Sequence, residues 1–272
     1  MPTTLWQFLV DANLTVLLER DFRQVAGTIG LVGPLLHVER EVMFQCHVDQ
    51  QADQPYLKLS DHFVFVAGES ANRCVTKVGG PPYRDKTRPW PLSRDDKPLV
   101  FVGQFCFSQS LDIVPRLPAE VLLVFGTPLD HSVLDLQFEW QSLISDDRLV
   151  PETDIPAHDF PLPRCYGVPF RTYELPWYVM ADRSRDSLFI ASPLCTKIGG
   201  YPYGYQQNER YPDYLCSLGP ILFSRLEEYP WLNCAEPLDE RPEVEGRELM
   251  WGDCFGAHLS LLPDGRVTWF DR

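Results

Sequence analysis

The sequence predicts an α+β fold, mainly antiparallel β, in which two pseudo-repeated β-rich halves pack as one body with few helices. Three observations carry that expectation. Thr76-Lys77-Val78-Gly79-Gly80-Pro81-Pro82-Tyr83 recurs 120 residues later as Thr196-Lys197-Ile198-Gly199-Gly200-Tyr201-Pro202-Tyr203, identical at six of eight positions. Apolar residues elsewhere come in short runs or strict alternation, the patterns of strands. The chain also holds 25 prolines in 272 residues, well above the usual ~5%, and proline interrupts helices. A period of 120 residues is too long for a solenoid, whose units recur every ~20–50 residues, so the repeat points to paired lobes.

The elements follow in order. Leu5, Phe8, Leu9, Ala12 and Val16 fall at helical spacing, while Leu14 to Leu18 would equally suit a strand. Residues 1–70 are expected to form an N-terminal segment packed on the main body. Half one, about 71–145, holds buried strands over Leu99–Phe107 and Val121–Phe125, each an apolar run bounded by Pro or Gly. Then Leu134, Leu136, Phe138 and Trp140 alternate with Asp135, Gln137, Glu139 and Gln141, giving one apolar and one polar face. Half two, about 190–272, is expected to carry an apolar strand-like run over Tyr214–Phe223, a short helix over 219–229 ended by Pro230, and a terminal hairpin. In that hairpin Ala257–Leu262 and Val267–Phe270 flank Pro263-Asp264-Gly265, where Pro presets φ and Gly accepts a positive φ. Segments 81–98, 145–170 and 200–213 are Pro-rich and polar and read as ordered surface loops.

Composition narrows the function classes. A chain of this mass buries roughly 70–75% of its unfolded surface, enough for a core without staples. The formal net charge is −14, with five Lys beside 19 Arg. Affinity for a phosphate backbone comes from cations replacing counterions, so no nucleic-acid partner is expected. The longest weakly polar run, Ala26–Leu36, contains three glycines and Pro34 and falls short of the ~20 residues that span a bilayer, so no membrane partner is expected. The start, Met1-Pro2-Thr3-Thr4-Leu5-Trp6, has no cationic leader, and a cytoplasmic location is expected.

No catalytic, metal or cofactor constellation emerges. The eight cysteines lie 18 to 59 residues apart without a C-x-x-C pair, so neither zinc nor a disulfide framework is expected and buried free thiols are the default. The histidines stand singly, with no H-x-x-x-H spacing. On an extended strand Cys254 and His258 would lie roughly 13 Å apart, beyond proton-transfer reach. Gly27-x-x-Gly30-x-x-Gly33 matches no dinucleotide fingerprint. Both Gly-Gly pairs run into prolines, which favours strand-aiming bends over a phosphate cradle, with a ligand-lining role as the alternative. Lys77 and Lys197 occupy matched positions and would serve either as structural ion pairs or as anion ligands.

Two features remain as candidate interfaces. Tyr201, Tyr203, Tyr205, Tyr211 and Tyr214, with Tyr83 and Trp90 in the other half, read first as packing residues and second as interface anchors. From 227 to 248 the chain places Glu227, Glu228, Glu236, Asp239, Glu240, Glu243, Glu245 and Glu248 against Arg241 and Arg247, a net of −6. Such a stretch is either a solvated loop or a surface that steers a basic partner.

Several motifs together resemble the YwqG-like family, a bacterial domain of unknown function. In half one they are Thr76-Lys77-Val78-Gly79-Gly80 with Pro82, then Trp90-Pro91, then Lys97-Pro98-Leu99-Val100-Phe101-Val102-Gly103-Gln104-Phe105. In half two they are Lys197-Ile198-Gly199-Gly200-Tyr201-Pro202 and Met250-Trp251-Gly252-Asp253-Cys254-Phe255-Gly256. The family domain would then be 71–272. The resemblance implies an antiparallel α+β fold without established enzymatic activity. Members stand beside secreted polymorphic toxins, which implies an immunity role. The expectation is an acidic cytoplasmic immunity protein, not an enzyme, that binds a cognate toxin with a basic surface and occludes its active site. Its contacts would come from the acids of 227–248, Glu227 to Glu245 above all, and from Tyr203 and Tyr205. The alternative is a small-molecule binder or unrecognised enzyme with a cleft near Lys77, Lys197, Trp251 and Asp253.

Overall fold

Period-two patterning over short segments leads to strands, and they follow in chain order as β1 (Lys58–Ala67), β2 (Lys77–Val78), β3 (Val100–Cys106), β4 (Val121–Leu129), β5 (Ser132–Gln141), β6 (Cys165–Leu175), β7 (Ile190–Ala191), β8 (Lys197–Gly199), β9 (Tyr214–Leu218), β10 (Ile221–Leu222), β11 (Glu248–Trp251), β12 (Ala257–Leu261) and β13 (Val267–Asp271). In this computed structural model the described residues are 58–114, 116–129, 132–158, 162, 164–175, 190–191, 196–202, 213–219, 221–222, 248–251 and 256–271. Hydrogen bonding joins the strands in the order β10-β11-β5-β4-β3-β2-β6-β1-β8-β9-β12-β13, with β7 beside β6. Neighbours run antiparallel except at β11–β5 and β6–β7. Among the described residues helix is confined to two 3₁₀ turns, Asp146–Arg148 and Glu152–Asp154. The architecture is therefore mostly antiparallel β with almost no helix.

β4 shows how one strand serves two cores. Val121 to Phe125 are all 0% exposed, and alternate side chains point to opposite faces. Leu122 and Val124 join Val102, Phe105, Ile198 and Leu259 on one side, while Val121, Leu123 and Phe125 join Tyr83, Leu99 and Phe101 on the other. An unbroken apolar run is what a strand covered on both faces requires. In β3, Val100 and Val102 reach the first core, but so do Phe105 and, just past the strand's end, Phe107. That change of parity comes from a bulge between Phe101 and Gly103 opposite β4, because one extra residue flips every later side chain. A second register shift lies opposite Phe125–Thr127, where Asp135 takes φ 50°. Of the expected alternation, Leu136 joins the core, with Phe138 and Trp140 packed against it.

The structure corrects two sequence expectations. Residues 165–170, read as loop, begin β6, whose register with β1 runs from Cys165 to Glu174. Pro169 disguised this strand. Its partner Phe63 directs its N–H to Thr196 O on β8, 3.1 Å away, so the pair exchanges no bond and the missing proline N–H costs nothing there. At 219–229, where a helix was expected, the described part contains strand β10, paired with β11. The terminal hairpin forms as expected between β12 and β13, with Gly265 at φ 83°. β1, which precedes residue 70, runs mid-sheet between β6 and β8; residues 1–57 lie outside the described residues.

Candidate functional site

The two Gly-Gly octets occupy the centre of the sheet, β2 and β8 flanking the β6–β1 pair. Both bends use consecutive left-handed residues, Gly79 and Gly80 at φ 64° and 68°, Gly199 and Gly200 at 75° and 71°. Residues with a Cβ avoid that region, which explains the glycines. The preceding threonines act alike. Thr76 O accepts from Gly167 N at 2.8 Å and Thr196 O from Phe63 N at 3.1 Å; Thr76 Oγ1 accepts from Cys106 N at 3.0 Å and Thr196 Oγ1 from Gly219 N at 3.1 Å.

The lysines between them meet different surroundings. Lys77 pairs in register with Gln104 and Tyr166, and its buried Nζ lies 3.0 Å from Glu69 Oε2. Burial pushes the Lys77 ammonium below its ordinary range while Glu69 pulls it back. Glu69 reaches it by folding over Gly80, where a Cβ would stand 1.5 Å from Glu69 Oε1. Lys197 is 0% exposed and registers with His62 and Ser217. Three strand spacings, about 14 Å, separate β2 from β8. Trp251 ends β11, which lies beyond β5, β4 and β3 from β2, so the described cleft candidates stand on separate strands. Asp253, Tyr203, Tyr205 and the acids Glu227, Glu228, Glu236, Asp239, Glu240, Glu243 and Glu245 lie outside the described residues.

Beside the first bend is a pocket of about 320 Å³, with Gly80, Phe101 and Leu162 as apolar wall and His158, Glu152 and Arg164 as polar lining. Arg164 and Glu152 form an exposed ion pair, which holds the Arg164 pKa up and the Glu152 pKa down. Sequence patterns did not reveal this pocket, because its lining comes from three separate stretches of chain, 79–80, 100–101 and 152–164.

A buried polar chain adjoins the second octet. Tyr214 OH meets Ser217 Oγ, and Ser217 Oγ lies 2.6 Å from His258 Nδ1. His258 Nε2 has no hydrogen-bond partner among the described residues. Desolvation, with Lys197 nearby, lowers the His258 pKa to about 3, so the ring is neutral and can accept from Ser217. Ser217 and His258 are 1% and 0% exposed, which leaves no approach for a substrate carbon and makes the pair a packing element. The only cue in the sequence is β-register, which places Ser217 opposite His258.

Other polar groups and aromatics are tied into the framework. Arg84, 1% exposed at its side chain, holds Glu139 at 2.7 Å and donates to Arg88 O and Pro89 O. Tyr83 donates to Ile144 O at 2.6 Å and Trp90 Nε1 to Leu99 O at 2.7 Å, so both serve packing. Lys58 stands 4.4 Å over the Tyr201 ring.

Residues 76–150 match the model of a family described as a domain of unknown function, DUF1963. The match takes in the first octet and β2 to β5, and ends before the second octet. No curated protein matches the chain. No helix among the described residues is long and apolar enough to cross a membrane.

Proposed function

We propose that the chain is a partner-binding protein, an immunity protein that holds a cognate toxin domain in the cytoplasm and occludes its active site. The observation that carries this reading is the charge: −14 overall, with −6 in residues 227–248, a field that accelerates encounter with a basic surface. Two further points support it. The resemblance of the octet and Trp-Gly-Asp motifs to the YwqG-like family implies the same role, and the described buried cations Lys77 and Arg84 hold carboxylates, consistent with a rigid platform. The test is to co-express the chain with the toxin domain of a secreted effector encoded beside it and to follow association by stopped flow. A complex whose association rate falls steeply with salt is expected; a rate indifferent to ionic strength would sink the electrostatic reading.

We infer in addition that the two halves are related by an approximate twofold axis through the β6–β1 pair. The order β5-β4-β3-β2-β6-β1-β8-β9-β12-β13 supports it, since β2 to β5 on one side mirror β8, β9, β12 and β13 on the other. The matching threonine bonds, Thr76 O to β6 and Thr196 O to β1, support it too. Each half would then lend its first strand to the other, as an exchanged element does.

One observation favours a second reading, a small-molecule binder. The pocket beside Gly79–Gly80, about 320 Å³, falls at the small end of the size of ligand sites, ~300–1,000 Å³. A metabolite screen by thermal shift tests it. A hit lost in Arg164→Ala, whose side chain is 46% exposed and dispensable for packing, supports this reading; a hit that survives the change removes the pocket from consideration.

A further inference from the structure

We propose that Cys74 and Cys106 are a peroxide-responsive dithiol, closing to a disulfide that staples the segment ahead of the first Gly-Gly bend to β3. Their Sγ atoms are 3.2 Å apart and both thiols are free and half-buried. The backbone on both sides is already fixed. Gln104 Nε2 donates to Arg73 O at 2.9 Å and Val75 O at 2.8 Å, clasping Cys74 from either side, while Cys106 N donates to Thr76 Oγ1 at 3.0 Å. Side-chain rotation alone has to bring the sulfurs about 1 Å closer to bond.

The surroundings also assign the roles. Cys106 Sγ is contacted both by the Cys74 thiol and by the Ser108 hydroxyl, each 3.2 Å away, and these contacts stabilise charge on it and draw its pKa below the ordinary thiol range against the cost of burial, whereas the Cys106 contact and burial push Cys74 up. Cys106 is therefore the attacking thiolate. Cys165 and Cys216, buried in apolar surroundings, are pushed up to about 12 and well above the ordinary range and serve as internal controls.

The chemistry balances with hydrogen peroxide as the oxidant. The Cys106 thiolate attacks one peroxide oxygen, the O–O bond breaks, and hydroxide leaves to take up a proton, giving a sulfenic acid on Cys106. Cys74 sulfur then attacks Cys106 sulfur, the S–O bond breaks, and the departing hydroxide takes the Cys74 proton as water. The two thiols lose two electrons together and peroxide becomes two waters. The segment so fastened carries Glu69, the partner of Lys77, so the oxidised form ties this ion pair to β3.

The test exposes the full reduced chain to hydrogen peroxide, alkylates the remaining thiols under denaturing conditions and maps the peptides by mass. The expected result is a Cys74–Cys106 cross-link that dithiothreitol reverses, with Cys165 and Cys216 still alkylated. In the native reduced protein at neutral pH, iodoacetamide should modify Cys106 at least about tenfold faster than Cys165. Cys74→Ser should stop at a sulfenic acid on Cys106 that dimedone traps. Should that variant fail to fold, dimedone present during oxidation of the unmutated chain makes the same assignment. Cys74 and Cys106 both alkylated after peroxide, either of them linked to another cysteine, or dimedone found on Cys74 instead of Cys106 would overturn the proposal.

Discussion

The two Gly-Gly octets share a backbone but not an environment. Each puts a lysine and an apolar residue on a short central strand and two left-handed glycines at its end. Around the first, Glu69 folds over Gly80 to neutralise Lys77, and a pocket opens beside the bend. Around the second, Gly199 is sealed by Ile113 and the Leu59 carbonyl, and Lys197 lies near the Tyr214–Ser217–His258 chain. Local sequence set the bend, and the long-range neighbours set its chemistry.

Adding a methyl group to each bend separates these environments most sharply. At Gly199 a Cβ would stand 2.1 Å from Ile113 Cγ2 and 2.9 Å from Leu59 O at φ 75°. The left-handed penalty of ~1–2 kcal/mol adds to overpacking of ~1–3 kcal/mol, so Gly199→Ala should destabilise by about 4 kcal/mol. Gly80→Ala meets only the flexible end of Glu69, which can swing away, and should cost about half as much. Urea unfolding of both variants checks the order; equal losses would mean that the two bends are equally enclosed.

The ability of the sequence to reveal this architecture followed a physical pattern. β3, β4 and the terminal hairpin were legible because their apolar runs and the Pro-Asp-Gly turn act locally. β6 was not, since Pro169 is tolerated only where its partner Phe63 turns its N–H toward β8, a fact of pairing. The bulges beside Val102 and at Asp135 shift parity without a composition cue. For the sites, the matched lysines stood out as a repeat, whereas Glu69, the Cys74–Cys106 contact and the Ser217–His258 bond depend on residues eight to forty-one positions apart. Of the acids expected at a partner surface, those from Glu227 to Glu245 lie outside the described residues.

The second octet's polar chain gives the next effect. His258 has a folded pKa of about 3 against an ordinary 6.5. Below pH 6.5 the unfolded chain takes up a proton that the folded ring refuses, so stability is lost as pH falls from 6.5 toward 3 and is fully present above 6.5. By about pH 4.5 the loss should reach 2–3 kcal/mol, with a slope approaching ~1.4 kcal/mol per pH unit. His258→Asn, polar but not titrating, should flatten this part of the profile. A slope unchanged in that variant would assign it to carboxylates instead.

The first octet's ion pair should respond in the same direction, at higher pH and by less. Glu69→Gln leaves Lys77, whose side chain is 1% exposed, without its counter-charge. Removing one partner of a fully buried pair costs ~3–5 kcal/mol, but Glu69 is 28% exposed, so screening reduces the expected loss to about 1–2 kcal/mol. Burial already lowers the Lys77 pKa, which means that the folded state disfavours this proton below the ordinary value of 10.5 and regains stability as pH rises toward it. Without Glu69 the folded pKa falls further and the burden at neutral pH grows. The Glu69→Gln penalty should therefore be greatest near neutrality, shrink as pH approaches about 10.5, and largely vanish when Lys77→Met removes the charge in the same molecule. A penalty that is constant with pH and persists in the double variant would mean that Glu69 acts through its packing over Gly80 and not through the lysine.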